Sequence, residues 1–195
     1  MITTRLTKLL GIAHPICLGG MGSINAPALT AAVSEAGGLG AMSGSHLTGD
    51  QVRTAARETL ARTKKPYAIN FLIFNSHADA FDAALEARPA VIAYAWPRKD
   101  QDLKPWFDKA HAIGAKITYM AASVPDAKRA VDAGADVIVA QGTEAGGHVS
   151  WIATMALTPA LAQGGQQRIM RHLRQVGHVH QLRTGLAPGR AHAHH

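Results

Sequence analysis

Ala133-Gly134-Ala135-Asp136-Val137-Ile138 joins the end of an Ala-rich helical stretch to a short β-rich run. The same joint recurs at Ala36-Gly37-Gly38-Leu39-Gly40-Ala41, at Ile113-Gly114-Ala115-Lys116-Ile117-Thr118 and at Ala87-Arg88-Pro89-Ala90-Val91-Ile92. In three of the four, glycine stands where the helix ends, and glycine takes the left-handed conformation that turns a chain directly into the next strand. These joints predict strands that start near Ile16, Leu39, Tyr67, Val91, Lys116 and Val137. The intervals of 23, 28, 24, 25 and 21 residues each hold one strand plus the dozen or so residues that a parallel crossover needs. The intervening stretches carry helix signals: Pro27 in the first turn of one, Asp50 near the start of the next, and Pro125-Asp126 opening a segment that puts Ala127, Ala130 and Val131 on one face. The strands themselves are short and apolar, as in Val137-Ile138-Val139-Ala140 and Val91-Ile92-Ala93-Tyr94, which suits parallel strands covered on both sides.

The fold class is therefore α/β. Six consecutive βα units at near-constant spacing favour a (β/α)8 barrel of the TIM type over an open doubly wound sheet, although regular spacing alone leaves the open form available. After the sixth strand a helix is expected from about Trp151 to Leu161, and a seventh strand should follow. From Ala162 onward the chain instead runs in Gln, Gly, Arg, His and Pro, with no apolar run long enough for a buried strand. The expectation is thus an incomplete barrel of about six units over residues 1–159, followed by an irregular, basic Arg/His-rich tail over residues 160–195.

The chain has 195 residues, of which 47% are hydrophobic and 17% charged, and its length suits one soluble globular domain better than two. No run of 18 apolar residues is present and the first residues lack a secretory signal's apolar stretch, so a cytoplasmic protein without a membrane partner is expected. The single cysteine, Cys17, lies in an apolar run and is read as a buried structural thiol. The net charge of +7 is unevenly placed. Residues 145–195 contain no Asp, Glu or Lys but five Arg, and six of the eleven His follow His148, leaving 15 basic against 13 acidic residues in 1–144. A basic binding protein whose tail contacts nucleic acid is one reading of that block. The nearly neutral body and the lack of aromatic residues among the arginines speak against it.

In a barrel the reacting groups sit at the C-terminal ends of the strands. After the first strand comes Gly19-Gly20-Met21-Gly22-Ser23, which either forms a plain tight turn or lets backbone N–H groups approach a planar or anionic ligand. The third strand places Asn70 between Ile69 and Phe71, as a structural amide or a ligand contact. The sixth strand runs into Gln141-Gly142-Thr143-Glu144-Ala145-Gly146-Gly147-His148. A glutamine there can bond a polar ring edge, glycines let a ligand rest on bare backbone, and an imidazole with an ordinary pKa of about 6.5 suits proton transfer. Read without a ligand, His148 is a surface loop residue. No metal site is expected: His172, His178, His180, His192, His194 and His195 lack a matching Cys or carboxylate set. A P-loop and a Ser-centred nucleophile elbow are also missing.

Pro15-Ile16 through Gly19-Gly20-Met21-Gly22, together with Ala31-Ala32-Val33-Ser34-Glu35-Ala36-Gly37-Gly38-Leu39-Gly40, resembles the opening of nitronate monooxygenases, formerly 2-nitropropane dioxygenases. Ala140-Gln141-Gly142-Thr143-Glu144-Ala145-Gly146-Gly147-His148 resembles their signature segment, and the likeness covers roughly residues 5–160. The resemblance implies a TIM barrel that holds FMN without a covalent bond, with contacts from Met21, Gly22, Ser23, Asn70, Gln141 and Gly146. It implies His148 beside the flavin as base or as donor to a nitro group. Its reaction partners would be a small-molecule nitronate and O₂, with no nucleic acid and with self-association as a homo-oligomer open. NAD(P)H:quinone reductases and flavin-dependent enoyl-acyl-carrier-protein reductases share the fold and the signature does not separate them. Two departures stand out. Ser150 replaces a glycine common two positions after the histidine, and past Pro159 the composition resembles a shifted reading frame in a GC-rich gene. A chain truncated or frame-shifted there lacks the seventh and eighth strands whose loops hold the FMN phosphate, and is expected to bind FMN poorly and to aggregate or dimerise through open edges.

Overall fold

In the computed structural model, which describes residues 2–21 and 26–163, the three glycine joints take the left-handed backbone expected of them. The φ angle is 92° at Gly37, 83° at Gly114 and 113° at Gly134. At the fourth joint Arg88 adopts it with φ 49°, immediately ahead of Pro89. Each joint links a helix to a strand: α2 (Pro27–Glu35) to β1 (Gly40–Ser43), α4 (Ala78–Ala87) to β3 (Val91–Ala95), α5 (Lys104–Ala112) to β4 (Lys116–Ala121) and α6 (Val124–Ala133) to β5 (Val137–Ala140). The remaining pair, α3 (Gly49–Arg62) and β2 (Tyr67–Leu72), is joined through Pro66. α1 (Arg5–Leu10) precedes them all.

All pairings are parallel and the sheet order is β1-β2-β3-β4-β5. An order that follows the chain without reversal has no switch point, which is where a doubly wound sheet changes direction. The helices accordingly return on a single face. Ile69, Phe71, Ile92, Tyr94, Ile117 and Tyr119 share one core with Val52, Ala80, Phe107 and Ala130 from the helices. The result is a partial α/β barrel with its helices outside.

Side chains alternate across a strand, so Ala68 and Asn70, Val91 and Ala93, Thr118 and Met120, and Val137 and Val139 lie on the opposite, inner face. At the N-terminal ends of the strands this face is plugged by Leu10 and Ile12, which pack with Leu39, Ala41, Ala68 and Val91. The plug is held by α1, whose start is a reciprocal cap: Thr4 Oγ1 accepts from the Thr7 N–H at 3.1 Å while Thr7 Oγ1 accepts from the Thr4 N–H at 2.9 Å. At the other end the inner face is open, with Val139 39% exposed. The open end is the one where barrel enzymes place their chemistry.

Three expectations change. The strand placed near Ile16 is a single parallel bridge between Cys17 and Leu39, and Ile16 is 63% exposed. Cys17 is exposed rather than buried, because among the described residues no strand lies on its far side; partial desolvation on its packed side still pushes the thiol pKa up. The last helix spans 154–163 instead of starting at Trp151, whose indole is 99% exposed. No described helix is long and apolar enough to cross a membrane. Most of the basic tail, from residue 164, lies outside the described residues.

Candidate functional site

Asn70 reaches the inner face from the middle of β2, between two side chains that face the helices. It is 3% exposed, and its Oδ1 is buried with no hydrogen-bond partner. Gly20 lies directly on it: a Cβ at position 20 would overlap the Asn70 amide. That close approach requires glycine and explains one residue of the first loop. Met21 beside it is partly exposed, and Gly22 and Ser23 lie outside the described residues.

Gln141 continues the ladder beyond β5, its N–H donating to the Ala121 carbonyl at 3.0 Å. Its side-chain Nε2 donates to the His148 carbonyl at 2.8 Å and closes the 141–148 loop. Because a carbonyl only accepts, the NH₂ end must face it. This leaves Gln141 Oε1, also buried and without a partner. The loop is tied down at two further points. The Glu144 carboxylate accepts from Thr154 N at 3.0 Å and Thr154 Oγ1 at 2.9 Å. Chiefly the Thr154 backbone N–H holds that carboxyl below its usual range. A lowered folded-state pKa gives a contribution that is present above the ordinary glutamate range and lost as pH falls through the lowered value. Ser150 Oγ donates to the Ala122 carbonyl at 2.7 Å and accepts from Ile152 N at 3.1 Å. Ser150 is therefore an anchor of the loop. Gly146 has open space where a Cβ would lie, so packing does not account for the glycine there.

His148 is exposed and its ring lies between two aromatic side chains, with centroids 5.7 Å from Phe74 and 5.5 Å from Trp96. Phe74 belongs to a 3-10 turn after β2, Ile73–Asn75, and Trp96 follows β3 directly. Trp96 takes a left-handed φ of 52°, unfavourable for a bulky residue, while its carbonyl accepts from Phe74 N at 3.2 Å. The loop from β5 thus crosses the mouth and sets the imidazole above the ends of β2 and β3, on the loop that follows Asn70's strand. Phe74 and Trp96 were missed in the sequence, where Gly20 was read only as part of a glycine-rich turn. The two aromatics had one legible signal, their position at the C-terminal ends of predicted strands.

The described residues leave four buried side-chain atoms unpaired: Asn70 Oδ1, Gln141 Oε1, Arg129 Nε and Tyr67 Oη. Tyr67 begins β2, at the plugged end of the sheet. The other three lie toward the open end. Burying an amide carbonyl without a partner is costly, and two such acceptors at one mouth fit a ligand that brings its own N–H or O–H donors. A flavin ring edge and its ribityl hydroxyls have such donors, and Gly146 leaves bare backbone for a flat ring. The residues present fit the group.

Residues 3–182 match the sequence profile of the nitronate monooxygenase family. The chain is 30% identical over 161 residues to the (3aS,4S,5R,7aS)-5-hydroxy-7a-methyl-1-oxo-octahydro-1H-indene-4-carboxyl-CoA dehydrogenase of Rhodococcus jostii, covering 82% of this chain and 44% of that protein. It is 29% identical to the nitronate monooxygenase of Pseudomonas aeruginosa, covering 84% and 60%. Among solved structures it is similar to FabK from Thermotoga maritima, with a TM-score of 0.78 and 32% identity over 84% of this chain and 52% of that one. The chain spans about half the length of the relatives it matches. With its residues 3–182 matched by that profile, the chain belongs to the nitronate monooxygenase family.

Proposed function

We propose that the chain carries the flavin-ring site and the catalytic histidine of an FMN-dependent oxidoreductase that oxidises alkyl nitronates with O₂ to a carbonyl compound and nitrite. The observation that carries this reading is the pair of buried, unpartnered amide oxygens, Asn70 Oδ1 and Gln141 Oε1, at the mouth that His148 overhangs. The flavin, when bound, supplies the electron transfer. The chain supplies the rest. Gly146 gives a ring bare backbone to lie on, Asn70 and Gln141 accept from its donors, and Met21 is assigned to the same contact set together with Gly22 and Ser23, which lie outside the described residues. His148 holds the nitro group or moves the substrate's proton. Phe74 and Trp96 restrict the imidazole from two sides, and Gln141 fixes its backbone. The unit so assigned is residues 1–159, its partners are a nitronate and O₂, and its place is the cytoplasm.

The second reading is an NAD(P)H-dependent reductase on the same barrel, favoured by the 30% identity to a dehydrogenase. Anaerobic mixing of the flavin-loaded protein separates the two. With NADH the visible flavin band is expected to persist, and with an alkyl nitronate it is expected to bleach. Bleaching by NADH assigns the protein to the reductases.

A further inference from the structure

A cleft of about 290 Å³ lies beside Trp96, lined by Trp96, Pro97, Lys99, Met120, Asp126 and Arg129. It is built by the segment after β3 and by β4 and α6, in the interior of the sheet order rather than at either edge. Trp96, Pro97 and Met120 give it apolar walls. Its polar groups are unbalanced in a specific way. Arg129 donates from Nη1 to the Lys99 carbonyl at 2.8 Å and from Nη2 to the Arg98 carbonyl at 3.3 Å, yet its Nε–H is buried with no acceptor. Lys99 forms no ion pair among the described residues. The one acid in the lining, Asp126, is already engaged: Oδ1 accepts from Tyr119 Oη at 2.7 Å and Oδ2 from Ala122 N at 3.1 Å. Asp100 and Asp102 stand further along the exposed segment and do not line the cleft.

We propose that this cleft takes the phosphate end of an elongated ligand, with the adjoining apolar or flat part of its arm against Trp96, Pro97 and Met120. An orphaned guanidinium N–H on α6 and, on the segment after β3, the exposed ammonium of Lys99 with no ion pair among the described residues call for an acceptor-rich anion, and a phosphate monoester offers several oxygens and up to two charges to both. The volume lies near the small end of ligand sites. It holds one ring or short chain with its anion. Trp96 is the shared wall: its ring lies 5.5 Å from that of His148, which puts the cleft next to the residue that carries the imidazole. That the ligand's far end is the reacting end rests on the flavin reading. Occupancy of the cleft does not.

The test is titration calorimetry on the full 195-residue chain without flavin, at low salt, with phenyl phosphate, benzoate and inorganic phosphate as probes. Phenyl phosphate should bind at one site, about tenfold tighter than benzoate or inorganic phosphate, because it combines the larger charge with an apolar part. Lys99→Gln should weaken it about fivefold with an unchanged circular dichroism spectrum. Arg129→Gln should weaken it further, and since that change also frees two loop carbonyls, Lys99→Gln is the deciding variant. Because the titration is run without flavin, its outcome does not depend on the flavin reading. Absence of saturable binding, benzoate binding as tightly as phenyl phosphate, or indifference to Lys99→Gln overturns the proposal.

Discussion

His148→Asn is expected to lower turnover of the flavin-loaded protein by about 10²–10⁴-fold, the range that proton transfer by a positioned side chain contributes. The substitution keeps a polar side chain of similar length and removes the titrating ring. It should not dismantle the loop. The bond that closes 141–148 runs from Gln141 to the backbone carbonyl of residue 148, and the other ties, Glu144 to Thr154 and Ser150 to Ala122, do not involve the imidazole. Flavin content and circular dichroism should therefore match the parent while kcat falls. Phe74 and Trp96 lose a ring neighbour each, a packing change at an exposed position that costs little stability. Unchanged turnover with flavin bound makes His148 a loop residue and moves the proton chemistry elsewhere.

Gly40→Ala is expected to destabilise the fold by about 3 kcal/mol, the upper part of the range for forcing an extra group into a packed interior. A Cβ on residue 40 would overlap the Thr30 carbonyl and crowd Ser34 Oγ. α2 cannot simply retreat. Thr30 Oγ1 donates to the Ala41 carbonyl at 3.0 Å, Ser34 Oγ accepts from Gly40 N at 3.1 Å and donates to the Pro66 carbonyl at 2.8 Å. Helix and strand are riveted at the point where the methyl would go, so relief of the clash breaks buried hydrogen bonds. Urea denaturation measures the effect as a lower midpoint at an unchanged slope. A midpoint equal to the parent's contradicts the close packing of α2 on β1.

The joints were legible because their chemistry is local: a glycine at a helix end states the backbone conformation by itself, and Gly37, Gly114 and Gly134 all take it. Arg88 was not, since its left-handed φ is imposed by the chain's need to turn before Pro89. The first strand was overread. Ile16-Cys17-Leu18 has strand composition, but a strand's length depends on neighbours on both sides, and among the described residues only Leu39 pairs with it. α1 was passed over although Thr4 and Thr7 form its cap. Within the site, Asn70 and Gln141 were readable as polar residues in apolar strands, and the period of two puts Asn70 on the inner face. The meeting of His148 with Phe74 and Trp96 was not readable, because a loop from β5 must cross the mouth to reach side chains that follow β2 and β3. The role of Gly20 was hidden for the same reason: the side chain that requires it is fifty positions away.

If the two unpaired amides hold a flavin ring, titration with the purified chain quenches flavin fluorescence. Weak but saturable binding is expected. Asn70→Ala should loosen it by about tenfold, the loss of one well-placed hydrogen bond at a buried acceptor, with circular dichroism unchanged, and Gln141→Ala by at least as much, since it also removes the bond to the His148 carbonyl. Binding that is equally tight in the parent and both variants, or that never saturates in the parent, contradicts the claim.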